Sequence, residues 1–278
     1  GTAGIDINYL PAREVTQGSS DIIVAVLDHG TQLDHPDLNV SSKSYDTETG
    51  RSPSQIWGNH GTACSGIISA KTNNNLGVAG IAPNCPVMSI SNQLMGTSDA
   101  PQKRADGFNW AWRNGASVIS NSWRSSTFSE LLEDAIQSAM TNGRNGLGCV
   151  VTFSAGNYDS NTVGYPARSL PDIIVVGALS LSGKRKSSTT IDNEGWWGSD
   201  YGTQLDIMAP GVLIYTTDRT GSVGYVSGDY MPNFNGTSSA GAHHDGASEL
   251  RESYQSGERE VRDCARQRPR PLPAQPCH

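Results

Sequence analysis

The fold of this chain is decided by residues 22–28, which read Ile-Ile-Val-Ala-Val-Leu-Asp. Six apolar residues that end at a carboxylate are typical of a strand buried on both faces, which delivers a polar side chain to the edge of a sheet. Four more short β-branched runs lie at residues 87–90, 117–119, 149–153 and 173–176. Because segments of helical length separate these runs, the sequence predicts an α/β fold, with three α/β/α layers around a mainly parallel central sheet.

The clearest helical pattern covers residues 128–142, where apolar residues recur three and four positions apart. This stripe consists of Phe128, Leu131, Leu132, Ala135, Ile136, Ala139 and Met140. Thr127 and Glu130 form a capping-box pattern at its start, and Gly143 stands where a C-terminal cap is expected. A second apolar helix is predicted to start just after His60.

Length and composition limit the possible classes of protein. A chain of 278 residues with 36% hydrophobic residues is long enough for one large globular domain. Its net charge of −7, with no Lys/Arg-rich motif before the tail, argues against a nucleic-acid partner, and its short apolar runs argue against a membrane span. The five cysteines are too scattered for a disulfide framework or a zinc site. The chain starts without a signal peptide, so we interpret it as a mature form.

Three local motifs place a reactive side chain beside glycine: Val-Leu-Asp28-His-Gly, Asn-His60-Gly-Thr-Ala-Cys-Ser-Gly and Asn-Gly-Thr-Ser238-Ser-Ala. A serine hydroxyl is a weak nucleophile until an imidazole takes its proton, and the imidazole needs a buried carboxylate to stabilise its charged form. The three residues therefore form a candidate catalytic triad. Taken singly, each also has a structural interpretation, as a turn carboxylate, a helix-starting cap and an N-cap serine.

The order Asp, His, Ser along the chain is the order known for subtilisin, and further motifs extend the likeness. Phe-Ser-Ala-Gly-Asn157 resembles the oxyanion-hole segment of the subtilase family, and Tyr-Gly-Thr-Gln-Leu-Asp-Ile-Met-Ala-Pro-Gly211 resembles its pre-nucleophile strand. The chain thus resembles the subtilisin-like serine proteases over roughly residues 5–240. The resemblance implies a serine endopeptidase that forms an acyl-enzyme on Ser238, with Asn157 as a catalytic oxyanion donor. The other interpretation of Asn157 is a simple turn residue.

The resemblance also implies a substrate-binding groove with two walls, Ser122-Trp123-Arg124 and Ser154-Ala155-Gly156. Both are expected to be edge segments free to pair with an extended peptide, because main-chain hydrogen bonds are common to all polypeptides. The family usually has glycine where this chain has Arg124, so the residue preference stays open.

Cys64 resembles the cysteine of the kexin-type and thiol-containing branches of the family. Kexin-type enzymes favour basic residues before the cut, and they carry an acidic pair after the Ser-Trp-Gly segment. That pair is missing here, where Arg124-Ser-Ser-Thr follows Trp123. A dibasic preference is therefore not favoured, and the other interpretation of Cys64 is a buried small hydrophobic residue.

A structural Ca²⁺ site is implied by the same resemblance. Its expected ligands are Asp37 and the loop residues Thr72, Asn74, Leu76 and Val78. One carboxylate, one amide and several loop carbonyls suit this hard cation. The alternative is that Asp37 and the Asn-rich loop are turn residues without a metal.

Residues 1–240 form the predicted subtilase catalytic domain, and residues 241–278 form an atypical tail rich in charge, proline and arginine. In the family the nucleophile begins a long apolar helix, usually with proline where this chain has Ala242. The tail contains only three branched aliphatic residues, so we expect that it supplies no buried helix. Either the reading frame shifts just after residue 240, or the tail is a disordered extension.

The family resemblance further implies polypeptide substrates, an N-terminal propeptide outside this chain, a secreted or extracytoplasmic location and a monomer. A second hypothesis is a catalytically silent subtilase domain that binds peptides, because the aberrant tail misplaces Ser238. An α/β-hydrolase esterase is not favoured. The segment Gly236-Thr-Ser238-Ser-Ala240 lacks the last glycine of the Gly-x-Ser-x-Gly elbow and follows both triad partners, which reverses the required order.

Overall fold

The computed structural model of the chain describes residues 6–267, and it describes side chains up to residue 255. The helices are α1 Tyr9–Val15, α2 His60–Ser69, α3 Ala100–Arg113, α4 Glu130–Gly146 and α5 Thr237–Gln267. The strands are β1 Ile23–Asp28, β2 Tyr45–Asp46, β3 Val87–Ser91, β4 Ala116–Asn121, β5 Val150–Ser154, β6 Ile174–Leu179, β7 Ile207–Pro210, β8 Ile214–Thr217 and β9 Tyr230–Phe234.

Seven of the strands form one parallel sheet in the order β2-β3-β1-β4-β5-β6-β7, and β8 pairs with β9 in a separate antiparallel ladder. The five strands predicted from apolar runs are confirmed, with ends that differ by at most three residues, the largest difference being at the end of β6. The strand order reverses around β1, so its carboxyl end opens into the crevice where open parallel sheets form their sites.

The residues of β1 alternate between the two faces of the sheet, as the two-residue period of a strand requires. Val24 and Val26 belong to the hydrophobic core that contains residues of α2 and α5, whereas Ala25 and Leu27 belong to the core that contains residues of α3 and α4. Helices therefore cover both faces, which confirms the predicted three-layer α/β/α fold.

Helix α4 corresponds to the stripe predicted at residues 128–142, with differences at its start. The N-cap is Ser129, whose hydroxyl accepts a hydrogen bond from the backbone N–H of Leu132, so the predicted capping box at Thr127 is wrong. Phe128 precedes this cap and is exposed, with its ring packed on Tyr165 instead of in the core. Helical geometry stops at Gly143, which confirms the predicted end.

Helix α5 contradicts the expectation that no buried helix follows residue 240. The helix continues to Gln267, and its inward face carries a stripe spaced as on one side of a helix. The stripe consists of Ala242, Asp245, Glu249 and Ser253, all buried. The count of aliphatic residues failed as a guide because small and polar side chains can also be enclosed when a sheet lies over them. No helix within residues 6–267 is both long and apolar enough to cross a membrane.

This packing has an energetic cost at Glu249, because its carboxyl group is fully buried under the sheet. Among the described residues its carboxylate oxygens meet no nitrogen or oxygen donor, and only the Cys85 thiol lies close enough to oppose the rise of its pKa through a weak hydrogen bond. Burial, with a smaller contribution from the nearby Asp245, raises the pKa of Glu249 well above its usual value. An unpaired carboxylate in this position destabilises the folded chain whenever it is ionised.

We expect Glu249→Leu to raise the free energy of unfolding by about 2–4 kcal/mol at pH 7.5, because leucine fills a similar volume without a charge. The pKa of Glu249 is higher in the folded than in the unfolded chain. The destabilisation is therefore absent below the unfolded pKa of about 4.3 and grows as pH rises toward the folded pKa. Urea unfolding at pH 7.5 and at pH 4 measures this difference, in a Ser238→Ala background that prevents self-digestion.

The matched control for this prediction is Glu14→Leu, at an exposed position of α1, for which we expect little change at either pH. An equal gain from Glu249→Leu at both pH values would contradict the assignment of a raised pKa to Glu249 in the folded chain.

The division of the chain at residue 240, and its origin in a frame shift, stay predictions. The buried acids of α5 support them, because a stretch selected for burial would not place an unpartnered carboxylate in the core. Sequencing the underlying nucleic acid in independent clones tests the frame shift. Residues 268–278 of the predicted tail lie outside the described residues.

Candidate active site

Asp28 is the last residue of β1 and is fully buried. Its carboxylate accepts hydrogen bonds from Nδ1 of His60, at 3.0 Å to Oδ1 and 2.8 Å to Oδ2. Oδ1 also accepts from the backbone N–H of His29 at 2.7 Å. These bonds fix the orientation of the carboxylate and leave Nε2 as the ring nitrogen of His60 that is free to exchange a proton.

His60 begins helix α2, and its ring packs against Phe234 with centroids 5.4 Å apart. Burial of the ring opposes its charged form, but the charge of Asp28 favours that form. The charge of Asp28, together with smaller effects of Cys64, outweighs burial and raises the pKa of His60 well above 6.5. Asp28 therefore stabilises a protonated imidazole, which is the state a general base must reach during a proton transfer.

Ser238 lies in the first turn of α5, where Thr237 ties it to the β5 loop. The backbone N–H and the hydroxyl of Thr237 both donate to Oδ1 of Asn157, at 2.8 and 2.9 Å. The hydroxyl of Thr237 accepts in turn from the backbone N–H of Gly156 at 3.1 Å. Because Oδ1 of Asn157 is held in this way, its Nδ2 is left as a donor without a protein acceptor among the described residues.

Gly236 allows the close approach of this turn to Asn157. It has a φ of +114°, and a Cβ atom at this position would lie 3.2 Å from Nδ2 of Asn157. A larger residue here would be strained in its backbone and crowded against the amide.

The structure thus assembles two parts of the site. Asp28 and His60 form one hydrogen-bonded pair, and Asn157 with Thr237 forms another beside Ser238. Phe234 connects the two parts, since it contacts His60 and stands four residues before Ser238. Within the described residues no hydrogen bond joins the side chains of His60 and Ser238.

A family model described as the subtilase family matches residues 19–255, which is most of the chain and extends past residue 240. The chain belongs to this family. Three relatives illustrate the similarity. Subtilisin E of Bacillus subtilis (strain 168) is 35% identical over 83% of this chain and 55% of its own length. The thermophilic serine proteinase of Bacillus sp. (strain AK1) is 33% identical over 92% of this chain and 58% of its own. The calcium-dependent protease of Trichormus variabilis is 31% identical over 86% and 39%.

This subtilase chain spans about half the length of those curated relatives. The family membership is confirmed, and with it the predicted subtilisin-like fold.

The two predicted groove walls of the subtilase chain differ in how free their backbones are. Residues 122–124 directly follow β4, and their main chain makes no hydrogen bond within the described residues. The second wall is not a free edge, contrary to the prediction. The N–H of Ala155 donates to Val176 at 2.9 Å, the N–H of Gly156 donates to Thr237, and Ser154 pairs within the sheet. The N–H groups of Ala155 and Gly156 are therefore already engaged, whereas the backbone of the first wall is open to pair with an extended peptide.

The side chains of the first wall point to different places. Trp123 is buried, with its ring 5.0 Å from that of Phe153 and beneath the guanidinium of Arg104. Ser122 lies close enough to Cys64 for a side-chain hydrogen bond. Arg124 is exposed and is the one side chain of this wall directed to the surface.

Cys64 lies one helical turn after His60, with its sulfur 3.7 Å from Nδ1 of the ring. Asp28, His60 and Cys64 are close enough together to hold a metal ion. Two conditions oppose such a use, because Nδ1 is already bonded to Asp28 and because burial raises the pKa of the Cys64 thiol. A protonated thiol is a poor metal ligand, so the geometry favours the interpretation of Cys64 as a small buried side chain.

Two of the predicted calcium residues, Asn74 and Val78, contact Asp37, which is fully buried. Its Oδ1 accepts from Nδ2 of Asn74 at 2.6 Å, and its Oδ2 accepts from the N–H of Val78 at 3.1 Å. Oδ1 of Asn74 accepts from the N–H of Leu76 at 3.2 Å, which curls the loop around the carboxylate. Thr72 lies at the start of the loop and accepts from Arg13 through its hydroxyl.

The donor chemistry of this loop fits a calcium ion. Asp37 forms no ion pair within residues 6–255, so its charge lacks a protein counter-ion. The neighbouring Tyr230 is kept neutral, because burial and the charge of Asp37 raise its pKa to about 12. The buried carboxylate of Asp37 and the amide oxygen of the neighbouring Asn74 are hard-oxygen donors that suit Ca²⁺.

Thr237 is the residue of the site that the sequence interpretation missed. Its signal was present in the Gly-Thr-Ser tripeptide, but its role depends on bonds to Asn157 and Gly156, about eighty positions earlier in the chain. Local sequence does not disclose such a distant partner.

Proposed function

We propose that this subtilase is a serine endopeptidase that hydrolyses peptide bonds through an acyl-enzyme on Ser238. The observation that carries the proposal is the hydrogen bond between the buried Asp28 and His60, with Ser238 at the start of α5, where Thr237 binds Asn157. The named serine proteases among the relatives support the same reaction class.

In the proposed first step, the Ser238 hydroxyl oxygen attacks the substrate carbonyl and its proton passes to Nε2 of His60. Asp28 stabilises the resulting imidazolium through Nδ1. The protonated His60 then gives this proton to the departing amine as the peptide bond breaks. Water repeats the sequence on the ester, with His60 as base, and restores Ser238 and the free carboxylic acid.

The oxyanion of each tetrahedral intermediate is assigned to Nδ2 of Asn157 and to the backbone N–H of Ser238. Asn157 suits this role because Thr237 holds its Oδ1, which leaves Nδ2 as a fixed donor that needs no reorganisation during the reaction.

The alternative is a silent subtilase domain that binds peptides without cutting them. The lack of a hydrogen bond between His60 and Ser238 favours it, although catalytic bonds are often long before substrate binds. A fluorophosphonate probe separates the two functions, and peptide mapping locates the label. Stoichiometric labelling of Ser238, together with new fragments from a denatured protein substrate, supports the peptidase. A folded protein that stays unlabelled supports the silent domain.

We further propose that Asp37, Asn74 and the carbonyls of Thr72, Leu76 and Val78 hold a structural calcium ion. The unpaired charge of Asp37 supports this assignment, and two relatives are named calcium-dependent proteases. When bound, the ion would supply the positive charge that Asp37 lacks and would hold the loop against the fold.

Calcium at about one hundred times its dissociation constant is expected to raise Tm by about 5–10 °C, since such binding stabilises a folded chain by about 2.7 kcal/mol. Differential scanning fluorimetry of the Ser238→Ala variant, with calcium and with a chelator, measures the shift. Asp37→Asn should abolish it, and Asp34→Asn, at an exposed position three residues away, should leave it intact. If calcium still raises Tm in Asp37→Asn, the ion binds at another site and the assignment to Asp37 is wrong.

Family membership also supports polypeptide substrates, a secreted or extracytoplasmic location, an N-terminal propeptide outside this chain and a monomeric state. We propose these properties together with the peptidase function.

A further inference from the structure

Arg124 reaches from the first groove wall to Tyr158, which stands two residues after the end of the second wall. Its guanidinium carbon lies 3.6 Å from the centroid of the Tyr158 ring, directly after Asn157 in the chain. Its aliphatic stem lies over Gly164, where a Cβ atom would meet Cβ and Cδ of Arg124 at 3.0 and 3.1 Å. The absence of a side chain at Gly164 therefore gives this arginine its path.

The flat face of the Arg124 guanidinium packs on Tyr158, so the N–H groups at its edge remain available for hydrogen bonds. Stacking on Tyr158 occupies the flat face, whereas the N–H groups point outward in the plane of the group. Arg124 forms no hydrogen bond or ion pair within the described residues. Arginine is well suited to bind a carboxylate through two parallel N–H bonds.

The acid nearest to this site is closed off from the groove. Asp200 is buried, and its Oδ1 accepts from the backbone N–H groups of Tyr158 and Ser160, both at 2.9 Å. Its Oδ2 lies behind Gly156, where a Cβ atom would come within 2.1 Å of it. Burial raises the pKa of Asp200, while these N–H groups and Arg124 partly oppose the rise. Asp200 thus leaves the charge of Arg124 without an ion-pair partner.

The surroundings of Arg124 are basic and hydroxyl-rich, although the chain as a whole carries a net charge of −7. Arg124 lines a surface cavity of about 330 Å³ together with Arg168 and three serines, Ser125, Ser126 and Ser169. Among the residues that the structure describes, no acidic side chain lines this cavity. It favours an anionic group over a cationic one.

The position of Asn157 indicates which substrate residue meets Arg124. If Nδ2 of Asn157 binds the carbonyl oxygen under attack, the side chain of that same residue starts beside Asn157. The guanidinium of Arg124 lies on the ring of Tyr158, the next residue in the chain, and is therefore the charged group nearest to hand. We propose, building on the peptidase function above, that Arg124 recognises an acidic side chain, glutamate or aspartate, immediately before the scissile bond.

Internally quenched peptides that differ only in the residue before the cut, Glu or Gln, test this inference through kcat/KM. The expected Glu:Gln ratio is about 10- to 100-fold for the wild-type chain, the usual size for a charge-assisted bidentate contact. It should fall to near one in Arg124→Gln and decrease in 1 M salt. Arg113→Gln is the matched control, since Arg113 is also an exposed arginine stacked on an aromatic ring, that of Trp112, and should keep the wild-type ratio.

A binding measurement separates this inference from the peptidase function. Calorimetry with the Ser238→Ala variant compares the dissociation constants of the same two peptides without any cleavage. Tighter binding of the Glu peptide that is lost in Ser238→Ala/Arg124→Gln supports the acidic subsite, even if the wild-type chain cuts neither peptide. Equal binding of the two peptides, or a Glu preference that survives Arg124→Gln, overturns it.

Discussion

Ser238→Ala is expected to lower kcat for peptide hydrolysis by about 10⁶-fold, the size known for loss of the nucleophile in subtilisin. The structure gives the reason for so large an effect. In the proposed mechanism every proton transfer by the Asp28–His60 pair serves the formation or hydrolysis of an ester on this hydroxyl, so the pair has no reaction to assist once the hydroxyl is gone. Active-site titration and initial rates on an internally quenched peptide measure the loss.

The control for this change is Ser239→Ala, one residue along the same helix turn. The hydroxyl of Ser239 donates to the carbonyl of Gly236 at 2.8 Å, so it serves the turn and is not assigned to chemistry. We expect this variant to lose stability and to keep the nucleophile. Residual activity of Ser238→Ala above about 1% of the wild-type rate would contradict the assignment of Ser238.

Asp28→Asn is expected to lower kcat/KM by about 10⁴-fold, the size known for loss of the aspartate in related triads. The amide cannot hold the same tautomer of His60 or stabilise its charged form. The pH profile should change as well. Activity rises with pH as His60 loses its proton, and Asp28 raises the pKa of His60, so the wild-type rise lies above about pH 6.5.

Without the charge of Asp28, the burial of His60 is left to lower the pKa of the ring, so the residual activity should rise at a lower pH than in the wild type. Asp21→Asn, at an exposed position just before β1, is the control and should leave both the rate and the profile unchanged. If activity rises at the same pH in Asp28→Asn as in the wild type, a group other than His60 controls the rise.

The central sheet and half of the site could be predicted from sequence, because both follow from local patterns. The apolar run before Asp28 defines a buried strand, and parallel topology brings strand ends to one edge, so Asp28 and the segment after β5 had to converge. The glycine-flanked motifs then named the chemical groups. None of these inferences needed knowledge of a distant side-chain contact.

The features that escaped prediction depend on tertiary contacts. The burial of Asp245 and Glu249 follows from the position of α5 under the sheet, which overrides their polarity. The stacking of Arg124 on Tyr158 depends on the space left by Gly164, forty residues away. The hydrogen bonds of the second groove wall are likewise made to β6 and α5, which no local pattern indicated.

The two ends of the seven-stranded sheet also bear on how this chain behaves among copies of itself. At one end β2 has only two residues, and at the other β7 has four and finishes at Pro210, which has no N–H to donate. Long unpaired edge strands allow strands of other molecules to add to a sheet, which leads to aggregation. Both edge strands of this sheet are short. We propose that this chain binds extended peptides on its first groove wall. Its short sheet edges limit pairing between two copies of the chain.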